Sequence, residues 1–451
     1  MKYKNRLKNI SIIPVLILVG VLIMFSTGVN AKNAGRNTIE ETTKSQVQTT
    51  ENPTTGKNQQ ETTVAVTTTG SQTPATGTGK IKASKLNPAK AKVLLLDAGH
   101  CKKHIGARGH GLKEEKINLD IAKACRNYLD TYSDVTVHMT RTNNNCLKSL
   151  MLGDCLTARN HLAQRLGADF LVSFHVNSDP DPDRSGAMIL AAYNSGYNSF
   201  VSTNTKALGK VILKNLKSLG IKSEGFWLRK LKNTRYKNGA KADYYSIVRE
   251  GVLNKIPSLI VEHGYITNEN DCNNFFKTSA KRKALGVADA KGIATYHSLS
   301  TPNIEGDFKK TSKNTYFIDN EGNKISGWVK KDGKWYHFDS KTAKMGKGFI
   351  KIGKDLFYLD TKTGEMKTGW FTVKSKSYLA KGNGTVITNR IYSDGVRSYY
   401  FDKKGKRKNG WVTYKNAKYY FSKTKGMLKG KQRINGRKYV FSRKTGKLKK
   451  R

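Results

Sequence analysis

The sequence contains few acidic residues for its length. Among 451 residues, 82 are Lys or Arg and only 33 are Asp or Glu, which gives a formal net charge of +49. A charge of this size excludes a surface of balanced charge and favours polyanionic partners, such as nucleic acid, anionic lipid or an anionic cell-wall polymer. The location of the protein decides among these three classes of partner.

The sequence also lacks an uninterrupted apolar run as long as a typical membrane-spanning helix. The best candidate, residues 10–25, is short for a span and is interrupted by Pro14. Basic residues precede this run, and Val29 and Ala31 behind it fit a signal-peptidase site. We predict a signal peptide over residues 1–31, with an uncleaved anchor as the alternative. A secreted, cell-wall-associated protein of this kind meets no nucleic acid and contacts the membrane only transiently.

Closely spaced cysteine pairs are absent as well. The sequence has no CxxC pair and no Cys/His finger spacing, which disfavours a structural zinc site of that kind. An odd number of cysteines in an exported protein leaves at least one thiol outside any disulfide. Cys146 and Cys155 are near enough in sequence to bridge a loop, and their pairing stays open. The five cysteines all lie between residues 91 and 300: Cys101, Cys125, Cys146, Cys155 and Cys272.

Composition divides the rest of the chain into three parts. Residues 32–90 are rich in Thr, Gln and Gly and have too little apolar surface to fold, so we predict a disordered linker. Residues 91–300 alternate short apolar runs with amphipathic segments, which predicts an α/β domain: a twisted, mostly parallel sheet with helices on both faces. Residues 306–451 follow as a different kind of structure.

That last part is repetitive. Gly327-Trp328, Gly348-Phe349 and Gly369-Trp370 recur at 21-residue intervals, each followed by an aromatic cluster and a charged turn. Such a period predicts a β-hairpin repeat solenoid, in which each hairpin buries its apolar face on its neighbours. From residue 301 onward there are 39 Lys and Arg against 11 Asp and Glu, so this part carries +28 of the net charge.

Polar residues follow several of the predicted strands in the α/β part. His100, His175 and Glu262 each end an apolar run, at the sheet edge where open α/β folds place their ligands. Glu114 stands just before the first predicted helix. Two imidazoles and a carboxylate are a known ligand set for catalytic zinc, and a second carboxylate can move protons for a bound water. From spacing alone, a metal centre and a set of structural residues remain about equally plausible.

These residues lie within longer motifs at positions 95–100, 111–119, 173–177 and 257–268. The four motifs, in this order, resemble those of the zinc-dependent N-acetylmuramoyl-L-alanine amidases of the amidase-3 family. The resemblance implies that His100, Glu114 and His175 hold Zn²⁺ and that Glu262 is catalytic. It also implies the reaction: hydrolysis of the amide between N-acetylmuramic acid and L-alanine of the peptidoglycan stem peptide.

Two neighbouring carboxylates compete for the ligand position. Glu114 is chosen over Glu115 because the family's ligand lies four residues before the motif asparagine, here Asn118. The chain departs from the family directly after His100, where Cys101-Lys102-Lys103-His104 replaces the usual glycines. We expect Cys101 to be a half-buried loop thiol. His104, His110 and His263 are expected to be spare imidazoles without a ligand role.

Four polar residues are candidates for substrate contact. Asn177 follows His175 in its motif, and Arg159 and Arg249, like Arg141, could orient carboxylates of the wall peptide. Ordinary structural pairing is at least as good an explanation for each arginine.

The C-terminal hairpins resemble choline-binding-type cell-wall repeats. The resemblance implies aromatic cages for a quaternary ammonium ligand, with Trp328, Trp335, Trp370 and Trp411 as wall-binding residues. Because Trp is sparse and Lys abundant, we expect an anionic wall polymer such as teichoic acid as the ligand, with a choline-like ligand as the alternative.

Two other functions fit parts of the sequence. A zinc peptidase or carboxypeptidase acting on wall peptides could use the same His/Glu/His site. A non-catalytic wall-binding protein could carry a degenerate enzyme domain, although all four key positions are present here.

Overall fold

The computed structural model describes residues 79–147, 152–193 and 195–449. The predicted signal peptide and most of the predicted linker lie outside the described residues. Within them, no helix combines the length and the apolar character that crossing a membrane requires.

Within the described residues, the α/β part contains six α-helices, and most of its strands lie in one sheet. The helices are α1 Glu114–Leu129, α2 Leu152–Leu166, α3 Ser199–Lys217, α4 Ser246–Asn254, α5 Glu269–Asp271 and α6 Ser279–His297. The strands are β1 Ile81–Ala83, β2 Lys92–Ala98, β3 Arg108–Gly109, β4 Leu112–Lys113, β5 Val135–Met139, β6 Phe170–Asn177, β7 Ala187–Leu190, β8 Ser223–Trp227, β9 Lys230–Arg235, β10 Lys241–Asp243 and β11 Ser258–Tyr265.

The central sheet has the strand order β5-β2-β6-β11-β7-β8. Strands β5, β2, β6 and β11 are mutually parallel, β7 runs antiparallel to β11, and β8 is parallel to β7. The prediction of a mostly parallel α/β sheet is therefore confirmed, with the reversal at β7 as an addition. Four parallel strands bring the ends of β2, β6 and β11 to one edge of the sheet.

Helices cover both faces of this sheet, as predicted. Along β2, Leu94 and Leu96 pack in the core formed with α1, α3 and α6, whereas Val93 and Leu95 pack in the core formed with α2 and α4. Successive side chains of a strand point to opposite faces. A continuous apolar run such as that of β2 is therefore stable only where both faces are covered.

The repeats form successive antiparallel hairpins. Their strands are β12 Gly306–Lys310, β13 Thr315–Asp319, β14 Lys324–Lys331, β15 Lys334–Phe338, β16 Gly348–Ile352, β17 Asp355–Leu359, β18 Gly369–Val373, β19 Lys376–Ala380, β20 Arg390–Ser393, β21 Ser398–Phe401, β22 Arg407–Lys408, β23 Gly410–Tyr414, β24 Ala417–Ser422, β25 Gly426–Met427, β26 Gly430–Ile434 and β27 Arg437–Phe441. The hairpin prediction is confirmed, including a hairpin at Arg390, where no Gly-Trp pair marks it.

The end of the predicted linker needs correction. Strand β1 pairs in parallel with β14 of the repeats, with Ile81 opposite Lys324, and a 3₁₀ turn follows at Pro88–Lys90. Composition alone missed this segment because its stability comes from pairing with a strand more than 200 residues away in sequence rather than from an apolar run of its own.

Two tryptophans expected to bind the wall lie instead in a core shared by the repeats and the α/β part. Trp328 and Trp335 are 3% and 2% exposed and pack with Ala91 and Phe357. The indole nitrogen of Trp335 donates to Thr136 Oγ1 at 3.1 Å. These two residues are therefore corrected from wall-binding to structural positions.

Candidate metal centre

His100 follows β2 in an unusual backbone conformation. Its φ of 60° lies in the left-handed region, and Gly99 before it donates its backbone N–H to Phe174 O at 3.0 Å. A Cβ atom at Gly99 would lie 2.3 Å from His175 Nε2. Only glycine lets the chain pass this close to the second imidazole, so Gly99 allows the ends of β2 and β6 to bring both histidines together.

Glu114 lies between the two imidazoles. Its Oε1 is 3.2 Å from His100 Nε2 and 3.0 Å from His175 Nδ1, and ligand atoms of the three residues all lie within 4.8 Å of one another. The backbone N–H of Ala107 donates to Oε2 at 2.7 Å, and Asn118 Nδ2 donates to Oε1 at 3.2 Å. Glu114 begins α1, and its carboxylate is held from several sides.

The electrostatics suit Glu114 and His175 to a ligand role. Burial alone would lower the pKa of His100, but the charge and hydrogen bond of Glu114 outweigh it and raise that pKa. Burial alone would raise the pKa of Glu114, but the charges and hydrogen bonds of His100 and His175 outweigh it and hold that pKa well below its usual value. Burial lowers the pKa of His175. An ionised carboxylate and a neutral imidazole are the forms that bind metal ions.

The residues present fit a zinc ion. A Cβ atom at Gly106 would lie 2.1 Å from Glu114 Oε2 and 2.8 Å from His100 Cδ2, so the loop after His100 closes directly over the donors. Two imidazole nitrogens and one carboxylate oxygen are the donor set of catalytic zinc sites, which keep a further position for water.

Glu262 lies beside this cluster on the neighbouring strand. In the parallel pairing of β11 with β6, Glu262 stands directly opposite His175. Its buried Oε2 atom has no hydrogen-bond partner among the described residues. Burial first, and the negative charge of Glu114 second, raise the pKa of Glu262 well above its usual value. A raised pKa favours the protonated form of this carboxyl group, which suits a general base that must hold a proton.

The neighbouring Glu115 has a different partner. Arg108 donates to both of its carboxylate oxygens, at 2.7 and 3.1 Å. Of the two adjacent carboxylates, Glu114 is the one that reaches the histidines.

Arg159 holds the strand that carries His100 instead of contacting substrate. Its side chain is 3% exposed and forms an ion pair with buried Asp97. The guanidinium also donates to Ala98 O and His100 O, both at 2.9 Å. Arg141 is likewise buried and donates to Ala98 O. The expectation of substrate contact is corrected for both arginines, because their donors face the protein interior.

The other two candidates for substrate contact have accessible side chains. Asn177 ends β6 close to His175 and is half-buried. Arg249 on α4 is half-buried, and its Nη1 donates to the backbone oxygens of Asp243 and Tyr244 at 2.9 and 2.7 Å. Their role in binding substrate stays a prediction.

The buried pair of His263 and Asp289 contacts the backbone of His175. The sequence did not indicate this pair. His263 is fully buried; its Nδ1 lies 2.9 Å from His175 O and its Nε2 lies 2.8 Å from Asp289 Oδ2. Asp289 lies on α6. The only sequence signal for Asp289 is its position on an otherwise apolar face of this helix.

A second cluster of metal-binding side chains lies next to the first. Cys101, His104, Cys146 and Cys155 bring one ligand atom each within 4.8 Å of the others. The sequence argument against a zinc site of CxxC or finger spacing does not apply to this cluster. It considered only ligands close in sequence, whereas these four come from three separate segments.

An α/β sheet that presents two imidazoles and a carboxylate at one edge, with a further buried carboxylate on the next strand, defines a candidate metal-dependent hydrolase. Residues 94–295 match the family described as N-acetylmuramoyl-L-alanine amidase, and this part of the chain is a domain of that family. Residues 326–341 and 409–426 match the putative cell wall binding repeat. The chain thus joins an amidase domain to cell-wall-binding repeats.

Several known proteins are similar over one part or the other. A sporulation-specific N-acetylmuramoyl-L-alanine amidase of Bacillus subtilis is 27% identical over 217 residues, which are 48% of this chain and 72% of the relative. The solved catalytic domain of an N-acetylmuramoyl-L-alanine amidase from Bacillus (Paenibacillus) polymyxa is 26% identical with a TM-score of 0.35, covering 46% of this chain and 99% of that one. Choline binding protein F of Streptococcus pneumoniae is 28% identical with a TM-score of 0.29, covering 32% of this chain and 48% of that one.

Proposed function

We propose that this protein is a secreted peptidoglycan hydrolase that cleaves the amide between N-acetylmuramic acid and L-alanine of the stem peptide, with zinc as its cofactor. The observation that carries the proposal is the convergence of His100, Glu114 and His175 beside Glu262 within an amidase-family domain.

His100, Glu114 and His175 would hold the zinc ion. When bound, zinc supplies a Lewis acid that polarises the scissile carbonyl and lowers the pKa of a water molecule. The carboxylate of Glu262 accepts the proton of the attacking water and returns it to the nitrogen of the leaving L-alanine. Its raised pKa supports this role, because it favours the protonated carboxyl group that forms when Glu262 accepts the proton.

Mass spectrometry of digested wall tests the reaction. We expect the full-length protein to release intact stem peptides with free L-alanine N-termini from purified peptidoglycan, to lose this activity with a chelator and to regain it with zinc. Peptides cut between other residues would favour the zinc peptidase instead. Wall that binds the protein and stays uncut would favour a non-catalytic wall-binding protein.

The repeats support attachment to the wall through aromatic rings and basic charge. Trp411 is 43% exposed, and its ring centroid lies 5.3 Å from that of Tyr420 and 5.0 Å from that of Tyr439. These three rings come from two adjacent hairpins. Among the described residues, no Lys or Arg stands over the Trp411 ring, so this aromatic group could receive a quaternary ammonium ligand.

The corresponding group at Trp370 already contains a cation of the chain itself. The guanidinium carbon of Arg407 lies 4.5 Å from the ring centroid of Tyr399 and 6.0 Å from that of Trp370. Trp370 packs with Phe401 at 5.7 Å between ring centroids, as Trp411 does with Phe441 at 6.0 Å, so the cation is what distinguishes the two groups. We infer that Trp411 is the main aromatic ligand site of these repeats and that Trp370 is largely structural.

Replacing Trp411 by alanine should weaken the part of wall binding that free choline displaces by roughly 2- to 30-fold, since a cation–π contact contributes about 0.5–2 kcal/mol. Trp370→Ala is the matched control, because its ring is covered by Arg407 and should change choline-sensitive binding little. Co-sedimentation with purified walls measures both variants.

The same assay at increasing salt separates the two ligand classes. Binding to an anionic polymer such as teichoic acid should fall as salt screens the basic surface. Binding that is independent of salt and unaffected by Trp411→Ala would contradict both ligand proposals.

A further inference from the structure

We propose that Cys101, His104, Cys146 and Cys155 form a second, structural metal site that binds zinc or a similarly thiophilic divalent ion. The proposal is independent of the chemistry at His100, Glu114 and His175, because it uses none of those residues. It rests on the distances among the four side chains, on the burial of Cys101 and Cys155 and on the segments from which the four residues come.

Two of the three short distances match a tetrahedral ion, and the sulfur–sulfur distance is shorter than such an ion requires. Cys146 Sγ lies 3.1 Å from Cys155 Sγ and 3.6 Å from His104 Nδ1, and Cys101 Sγ lies 3.5 Å from the same nitrogen. Zinc–sulfur bonds of about 2.3 Å and zinc–nitrogen bonds of about 2.0 Å place neighbouring donors of a tetrahedron roughly 3.5–3.8 Å apart. All four donors lie within 4.8 Å of one another, so small shifts complete the tetrahedron.

The chemistry of the donors selects the class of ion. Three thiols and one imidazole form a Cys₃His set, the ligands of closed structural zinc sites. Soft thiolate donors favour zinc over hard ions such as magnesium or calcium. Cys101 and Cys155 are 0% and 1% exposed, and thiols are weak hydrogen-bonding groups. A shared metal ion therefore explains why buried thiols converge here better than hydrogen bonding among them does.

The site would join three segments around the first catalytic histidine. Cys101 directly follows His100, Cys146 lies in the segment after β5, and Cys155 lies on α2. The backbone N–H of Lys102 donates to Asn144 O at 2.7 Å, which already brings the first two segments together. A metal ion here would fix the loop that carries His100 against α2. Its role is therefore to position His100, and it takes no part in the reaction.

A disulfide between Cys146 and Cys155 is the competing explanation. None of the five cysteines, all within the described residues, is in a disulfide, and the 3.1 Å between these two sulfur atoms exceeds the bond length of about 2.05 Å. A disulfide would also leave Cys101 and His104 without a reason to converge on the pair.

Metal analysis of the full-length protein, purified without chelator or reductant, tests the proposal. We expect two zinc ions per chain in the wild type, one for each cluster. Cys146→Ser and His104→Asn should each reduce the content to one, and Cys272→Ala, which alters a buried thiol outside the cluster, should leave two. Glu114→Gln should also reduce the content to one while the cysteine site stays loaded, so failure at one site is distinguishable from failure at the other.

Cobalt substitution gives a second readout, and its first result, the absorption of the wild-type protein, does not depend on the folding of any variant. We expect a sulfur-to-cobalt charge-transfer absorption in the near ultraviolet that is retained in Glu114→Gln and lost in Cys146→Ser. In denaturant with chelator and no reductant, all five cysteines should react with a thiol reagent. Three reactive thiols would show the disulfide, and a missing charge-transfer band would show that the cluster binds no metal; either result overturns the proposal.

Discussion

Glu262→Gln should lower the rate of stem-peptide release by about 10²- to 10⁴-fold, the usual contribution of a positioned general base. Glutamine has nearly the same shape but cannot accept a proton from water. Because Glu262 is not among the proposed ligands, the zinc content should stay that of the wild type. The rate of release from purified peptidoglycan and the metal content, measured on the same preparation, check both expectations.

The matched control for Glu262 is Glu250→Gln. Glu250 lies on α4, where its carboxylate contacts the side chain of Asn254 at 3.4 Å. This change removes one carboxylate from the same domain without touching the cluster, so activity should stay near that of the wild type. A Glu262→Gln protein with wild-type activity would remove Glu262 from the mechanism.

The same substitution should stabilise the fold. The pKa of Glu262 is raised in the folded state, so its contribution to stability is fully present below the pKa of the unfolded chain and is lost as the pH rises through the folded pKa. Wild-type protein in chelator should therefore lose stability over that pH range, and Glu262→Gln should not. Urea unfolding of both proteins at acidic and at neutral pH measures how much the free energy of unfolding of each one changes between the two pH values.

Local sequence patterns account for the framework of the site. The apolar runs of β2, β6 and β11 predict strands, and because parallel strands end at one edge, His100, His175 and Glu262 can be expected to meet there. Gly99 is recognisable in the sequence as a turn residue. The reason why glycine is needed there, the close approach of His175, is visible only in the structure.

Residues whose roles depend on distant partners could not be assigned from the sequence. An arginine such as Arg159 is a common residue type for binding substrate carboxylates. Only its ion pair with Asp97, 62 positions away, shows that Arg159 is structural. The cysteine cluster joins segments that no spacing rule connects. Trp335 belongs to a repeat motif whose resemblance to choline-binding repeats predicts a ligand contact, yet its indole packs on the α/β part. In each case tertiary contacts override the local pattern.

The adjacent carboxylates at the start of α1 offer the sharpest test of the ligand set. Glu114→Gln should lose the proposed catalytic zinc and lower the activity by more than the 10- to 100-fold typical of residues that only support a metal ligand. The reason is that Glu114 Oε1 lies within 3.2 Å of both imidazoles, and a neutral amide there binds a cation far more weakly. Zinc content and stem-peptide release measure the effect.

Glu115→Gln changes the same type of residue one position away. It weakens the partly exposed ion pair with Arg108, which contributes about 0–1 kcal/mol to stability. Activity should stay within a few-fold of the wild type, and both zinc ions should remain. If Glu115→Gln lost the catalytic zinc while Glu114→Gln kept it, the ligand would be Glu115, and α1 would have to begin in a different register when the metal binds.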